Sequence, residues 1–241
     1  MKSIMKKYQQ KFENFKYVIG KDNPIIIEIG SHYGEDSLRF IETFENAKVY
    51  CFEPDPRNID IHKKHFYQSY DDKEIPERVF DKYDWIDKED YVKKNLNNSG
   101  SSSLKKGYSN VLEDTIKVKT KRFDEWYDEN LSEQIIDFCW IDVQGAEKDV
   151  FDGMGSTIEK VKHIWVEYGE MNYEDAMSRD ETIRYLESKG FFLITSLSSH
   201  NNSGDLLLTF TSAPFLNTDN ILVNISTTDT LPGGLSANTD Y

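Results

Sequence analysis

The segment Glu28-Ile29-Gly30-Ser31-His32-Tyr33-Gly34-Glu35-Asp36-Ser37 places two glycines just behind a short apolar run. Glycines at a strand-to-helix turn let a ligand come close to the backbone. The pattern is not G-x-G-x-x-G, and it lacks the Gly-Lys-Ser/Thr of a phosphate-binding loop. Glu35 and Asp36 stand where a pyrophosphate would need positive potential, so a dinucleotide is disfavoured. A ligand with an amino-acid end and a cationic centre fits better. Glu53 closes the second apolar run, and a carboxylate there can accept the ribose hydroxyls of a nucleoside lying over the turn.

A second group of acids follows. Asp142 ends the apolar run from Ile135, Glu147 sits one helical turn into the next helix, and Glu167 falls late in the following strand. Together they could supply a general base with hydroxyl contacts, or oxygen ligands for a divalent cation. A divalent cation is left open but not expected, because only Asp142 is firmly placed. Glu147 could instead support the turn around Gly145. His200, in the polar loop after Leu197, is a second candidate base. His32 sits in the glycine turn, where positioning suits it better than catalysis.

These residues need a scaffold of alternating strands and helices. Residues 25–29, 49–52, 135–143 and 163–168 are short apolar runs, as expected of strands buried on both faces. Helices fit residues 34–45, the stretch after Pro56, the start at 144–151, and 179–189. Two strands flanking a helix of that length make a parallel βαβ unit. Residues 115–120 alternate as a strand. The runs 191–197 and 206–211 are too close for a crossover and must pair antiparallel. Residues 67–96, rich in charge and weak in periodicity, are expected to be helical turns and loops. Asn97 to Leu104 alone would be a flexible linker. Residues 1–20 form a helix with Ile4, Tyr8, Phe12, Phe15 and Ile19 at helical spacing. Its five lysines are either solvated or a basic surface for a peripheral membrane contact or a partner. The expected organisation is an N-terminal helix at 1–23, a domain at 24–212 and a polar tail at 213–241.

Composition narrows the function further. Hydrophobic residues are 38% of the 241, enough for a sizeable core. Lys and Arg total 29 against 43 Asp and Glu, a net −14, which disfavours a nucleic-acid partner. Cys51 and Cys139 both lie in apolar runs, against a disulfide scaffold and for a reducing, cytoplasmic compartment. No apolar stretch approaches ~20 residues, so no transmembrane segment is expected. The opening MKSIMKKYQQ lacks the apolar core of a signal peptide, so Asn-x-Ser triplets such as that at Asn97 carry little weight.

EIGSHYGEDS and VYCFEPDP resemble the first two motifs of S-adenosylmethionine-dependent methyltransferases. NNSGSSSL and WIDVQGAEKDVFDGM resemble signatures of the FkbM family, named for a macrolide O-methyltransferase. The resemblance covers about residues 24–212. It implies a Rossmann-like α/β fold: a seven-stranded, mostly parallel sheet with one antiparallel strand and helices on both faces. It also implies S-adenosylmethionine as cofactor and methyl transfer to a hydroxyl of a sugar, glycan or small natural product. The implied cofactor residues are Glu28, Gly30, Ser31, His32, Gly34, Ser37, Glu53, Pro54, Asn98, Ser102, Ser103 and Asp142, with Asp142 and His200 as candidate catalytic groups. Many members carry Asn where this chain has His32, and an acid where it has Gln144. A nucleotide-binding oxidoreductase on the same fold and a non-catalytic binding module are the alternatives.

Overall fold

Alternation of side chains along each apolar strand settles which residues meet which layer of helices. In the computed structural model, residues 2–61, 79–81, 88–95, 101–108, 113–169, 172–198 and 203–211 are described. The elements run α1 (Lys2–Ile19), β1 (Ile25–Ile29), α2 (Glu35–Thr43), β2 (Lys48–Phe52), a helical stretch at 56–61, β3 (Val79–Asp81), β4 (Lys88–Asn95) and β5 (Glu113–Thr120). They continue with α3 (Phe123–Asn130), β6 (Ile136–Ile141), α4 (Glu147–Met154), a 3-10 turn (Gly155–Lys160), β7 (Val161–Gly169), α5 (Arg179–Ser188), β8 (Phe191–Ser198) and β9 (Ser203–Phe210).

Seven strands form one sheet in the order β3-β2-β1-β6-β7-β9-β8. All are parallel except β9, which is antiparallel to both β7 and β8. The expected seven-stranded, mostly parallel sheet is therefore observed. The order reverses between β1 and β6, and the carboxyl ends of those two strands make the crevice where open α/β sheets bind ligands.

One face of the sheet presents Ile27, Tyr50, Cys139, Ile141, Ile164 and Leu208 to a core shared with α3, α4 and α5. The other presents Ile26, Phe138, Trp140, Trp165 and Leu207 to Phe12, Phe15 and Ile19 of α1 and to Phe40 and Ile41 of α2. The Trp140 and Trp165 rings stack 5.6 Å apart, and Phe15 meets Trp165 edge-on at 5.2 Å. Helix α1 is thus built into the domain, and its Phe12–Phe15–Ile19 face is used by the core. Among the described residues no helix is long and apolar enough to cross a membrane.

The charged segment departs from expectation. Within 67–96 the described residues are strands β3 and β4, not helical turns. β3 is a three-residue edge strand. β4 pairs antiparallel with β5 in a separate two-stranded sheet, from Lys88 opposite Thr120 to Asn95 opposite Glu113. Outside the main sheet β4 needs no apolar face, so periodicity carries no signal of it, whereas the alternation at 115–120 falls within its partner β5. The tail beyond Thr211 lies outside the described residues.

At the amino edge of the sheet, fully buried Asp137 ties β6 to the starts of β1 and β7. It accepts the Ile25 N–H at 2.9 Å, Lys21 Nζ at 2.8 Å and Lys162 Nζ at 2.8 Å. Burial pushes its pKa up, but the hydrogen bonds from Lys162, Lys21 and Ile25 outweigh this and hold it below the usual carboxylate value. Asp137→Ala strands a buried N–H at the entry to β1 and should cost about 2–3 kcal/mol in urea denaturation. A loss well under ~1 kcal/mol would show that this edge is held by the apolar core alone.

Candidate active site

The turn after β1 is wedged between its two neighbours. Gly30 and Ser31 donate their N–H groups to the Phe52 carbonyl at 2.8 and 3.0 Å, and the Asp142 N–H reaches Ile29 O at 3.0 Å. Gly30 has φ +90°, and a Cβ there would sit 1.8 Å from the Asp142 carbonyl oxygen. Only glycine fits, on both conformational and steric grounds. Gly34, also left-handed, opens α2, and Glu35 and Asp36 occupy the first turn, where the helix dipole favours acids. Glu28 and Ser37 lie beneath this turn. Both are buried, the Ser37 hydroxyl donates to Glu28, and it lies 3.0 Å from Cys51 Sγ. Burial and nearby Asp36 push the Glu28 pKa well up, against the Ser37 hydrogen bond. Glu28 and Ser37 brace the turn from below.

At the end of β2, Glu53 is held by three donors. Oε2 accepts the His32 N–H at 2.9 Å; Oε1 accepts the Asp55 N–H at 2.8 Å and Asn58 Nδ2 at 3.1 Å. A carboxylate has roughly four acceptor positions, so Oε2 retains one. Burial raises the Glu53 pKa to about 7, despite these hydrogen bonds. Next to it, fully buried Asp55 pairs with Arg57 at 2.5 Å and accepts the Ser102 hydroxyl at 3.1 Å. The following Ser103 donates to the Gln144 carbonyl at 2.5 Å and accepts the Lys105 N–H at 2.9 Å. Residues 101–108 are therefore a strap across the carboxyl edge rather than a linker. The strap is secured by Tyr108 N–H to Asn172 O at 3.0 Å and Glu174 N–H to Lys106 O at 2.8 Å.

Asp142, Glu147 and Glu167 do not all share one hydrogen-bond network. Gln144, with φ +54°, donates its amide to Asp142 Oδ1 at 2.5 Å and to Glu167 Oε2 at 2.9 Å. Its Oε1 accepts the Tyr173 hydroxyl at 2.7 Å. Burial and then the adjacent Asp142 push Glu167 up to about 9. Glu147 has a different partner: it is the first residue of α4, 3% exposed, and accepts the Gly145 N–H at 3.0 Å. It supports the turn, and burial lifts its pKa to about 7. No group of three His, Cys, Asp or Glu among the described residues is arranged to hold a metal ion.

The structure thus brings Gly30, Ser31, His32, Gly34, Glu53, Ser102, Ser103 and Asp142 to one edge. The His32 ring stacks on Tyr33 at 3.6 Å and only its N–H faces Glu53. Pro54 is exposed beside Glu53. Asn98 and His200 lie outside the described residues. Sequence reasoning missed Gln144 as a bridge, although it sits in the motif beginning at Trp140, and missed Tyr173, which no local pattern marks.

Residues 28–193 match the methyltransferase FkbM domain, and the chain belongs to that family of methyltransferases. The 2-O-methyltransferase NoeI of Sinorhizobium fredii (strain NBRC 101917 / NGR234) is 30% identical over 201 residues, 79% of this chain and 81% of that protein. The crystal structure of methyltransferase FkbM from Methylobacillus flagellatus KT shares the fold at TM-score 0.52 and 15% identity over 78% of this chain. This chain spans 44% of the length of that one.

The raised carboxyls give stability a definite pH dependence. Glu147 moves from 4.5 to about 7 on folding, so its stabilising contribution is complete below pH 4.5 and is lost as pH rises to 7. Glu53 acts over the same window. Urea stability should fall between pH 5 and 8, and fall less in Glu147→Gln, whose amide oxygen still accepts the Gly145 N–H. Equal falls in both proteins would place the titration elsewhere.

Proposed function

We propose that the protein is an S-adenosylmethionine-dependent O-methyltransferase acting on a hydroxyl of a sugar, a glycan or a small natural product. The observation that carries this reading is the Asp142–Gln144–Glu167 cluster beside the Gly30 turn, at the crevice between β1 and β6. The family is one of methyltransferases, and the relative named as a 2-O-methyltransferase supports oxygen as the acceptor atom. A net charge of −14 argues against a nucleic-acid acceptor. Two buried free cysteines suit a cytoplasmic setting.

The residues fit the cofactor. The glycine turn brings bare backbone to the crevice, Glu53 Oε2 has an acceptor position for a ribose hydroxyl, and the acidic edge favours a cation. Bound S-adenosylmethionine would supply a methyl group on a positively charged sulfur. Gly30, Ser31 and His32 would line the amino-acid end, and Ser102 and Ser103 would hold the strap closed. Asp142 would orient the acceptor hydroxyl and take its proton. Gln144 fixes the rotamer of Asp142 and keeps Glu167 beside it. Tyr173 fixes Gln144 in turn. Catalysis then rests on alignment and a positioned base.

Mass spectrometry of candidate hydroxyl acceptors incubated with S-adenosylmethionine tests this reading, which a failure to bind S-adenosylhomocysteine would refute. Ribose hydroxyls donate best to an ionised Glu53, so affinity for S-adenosylhomocysteine should rise with pH through about 7 and then level off. Glu53→Gln should flatten that rise, and Glu53→Ala should weaken binding by about 1.5–3 kcal/mol by calorimetry. Asp142→Asn keeps the bond from Gln144 and should fold, with kcat lowered roughly 10²–10⁴-fold. Near-normal turnover in that variant would move the proton to another group.

A further inference from the structure

Helix α1 carries a cation toward the acidic edge. Lys11 Nζ lies 4.3 Å from the ring centroid of Trp140 and 4.2 Å from that of Trp165. Two indole faces therefore take the place of much of its water, a geometry that holds an ammonium by cation–π attraction. Trp140 and Asp142 are two residues apart, and so are Trp165 and Glu167. Strand alternation puts Glu167 on the face of the sheet that Trp165 turns toward α1, and Asp142 follows directly on the end of β6. The charged groups that act on Lys11 are Asp205 of β9, Asp36 of α2, Asp142 beyond β6 and Glu167 of β7. Asp205 is anchored by Trp165 Nε1 at 3.0 Å, and Asp36 is paired with Arg39 at 2.5 Å. Burial lowers the lysine against the pull of these four acids.

We propose that Lys11 is a positioning residue of the transfer site, the counter-charge that lets the Asp142–Glu167 pair stand with a single proton and accept the one released by the acceptor hydroxyl. This rests on the function proposed above. Two carboxyls joined by one amide repel each other when both ionise. A pair carrying two protons cannot act as a base. A fixed positive charge on the same face stabilises the state with one proton, and the indoles keep that charge from moving away to water. Lys11 does this through the carboxyls and need not touch the acceptor.

Lys11→Met removes the charge and keeps an unbranched apolar stem on the indoles; Lys11→Arg keeps the charge. In the full chain without cofactor, carbon-13 NMR of the side-chain carboxyls should show the lower titration of the pair moving up by about 0.5–1.5 pH units in Lys11→Met. It should return toward wild type in Lys11→Arg. With cofactor and acceptor, the acid limb of the kcat profile should move in the same direction. Lys11→Gln serves as the neutral variant if the Met protein does not fold. A carboxyl titration that stays in place in a folded neutral variant overturns the proposal. A wild-type protein that transfers no methyl group refutes the O-methyltransferase reading instead, and the carboxyl titration still decides whether Lys11 sets the charge of the pair.

Discussion

The junction of β1 and β6 is the constraint on which the carboxyl edge depends. The Asp142 N–H closes onto Ile29 O, and the Asp142 carbonyl fills the space a side chain at residue 30 would need. The same turn is bonded to the end of β2 through the Phe52 carbonyl. Three strand ends are therefore locked at fixed spacing by backbone groups, before any side chain is considered. Glu53 and Asp142 leave from the two sides of that lock. Their separation is set by sheet geometry rather than by flexible loops, as a site that must hold reacting groups in line requires.

Around this junction the chain concentrates carboxyl groups in a poorly solvated place. Glu28, Glu53, Glu147 and Glu167 all have raised pKa values, and burial is the first cause in each. Each also has a donor: Ser37 for Glu28, backbone N–H groups for Glu53 and Glu147, and Gln144 for Glu167. The donors hold orientation while burial discourages ionisation, and for Glu53 and Glu147 that combination brings the pKa to about 7. An acidic residue at position 144 would set a third carboxyl between Asp142 and Glu167. Glutamine instead presents two N–H bonds to them and one oxygen to Tyr173.

Much of this was legible because it is local. β1, β2, β6 and β7 are apolar on both faces, so their runs stood out, and the residues ending them could be located from the sequence. Glu53 and Asp142 follow from that alone. β3 and β4 were not legible, because a short edge strand and a separate two-stranded sheet need no apolar pattern. Glu147 was placed a turn too far into its helix; its bond to Gly145 is a feature of the cap that spacing does not distinguish from a site contact. Tyr173 and the Asp55–Arg57–Ser102 link are contacts across long sequence separations, invisible to periodicity. The serine-rich strap showed only as turn chemistry, and the resemblance to FkbM signatures was what marked it as more than a linker.

Helix α1 shows where such local reasoning stops. Its lysines in sequence are a charge run on an amphipathic helix, and solvation or a surface contact were the natural readings. Packing changes the meaning of one of them: Phe12 and Phe15 seat the helix against Trp140 and Trp165, and the same seating lays Lys11 across both indoles. The matched family segment, residues 28–193, contains neither α1 nor β9. Yet Lys11 and Asp205 come from those two elements and act on the Asp142–Glu167 pair from outside it. The shared segment thus carries the glycine turn, Glu53 and the Asp142–Glu167 pair, while part of the electrostatic setting of that pair is contributed by flanking elements. Relatives that keep the motifs but differ in these flanks could hold the same carboxyls at a different charge, so proton uptake can be tuned without altering the motif residues.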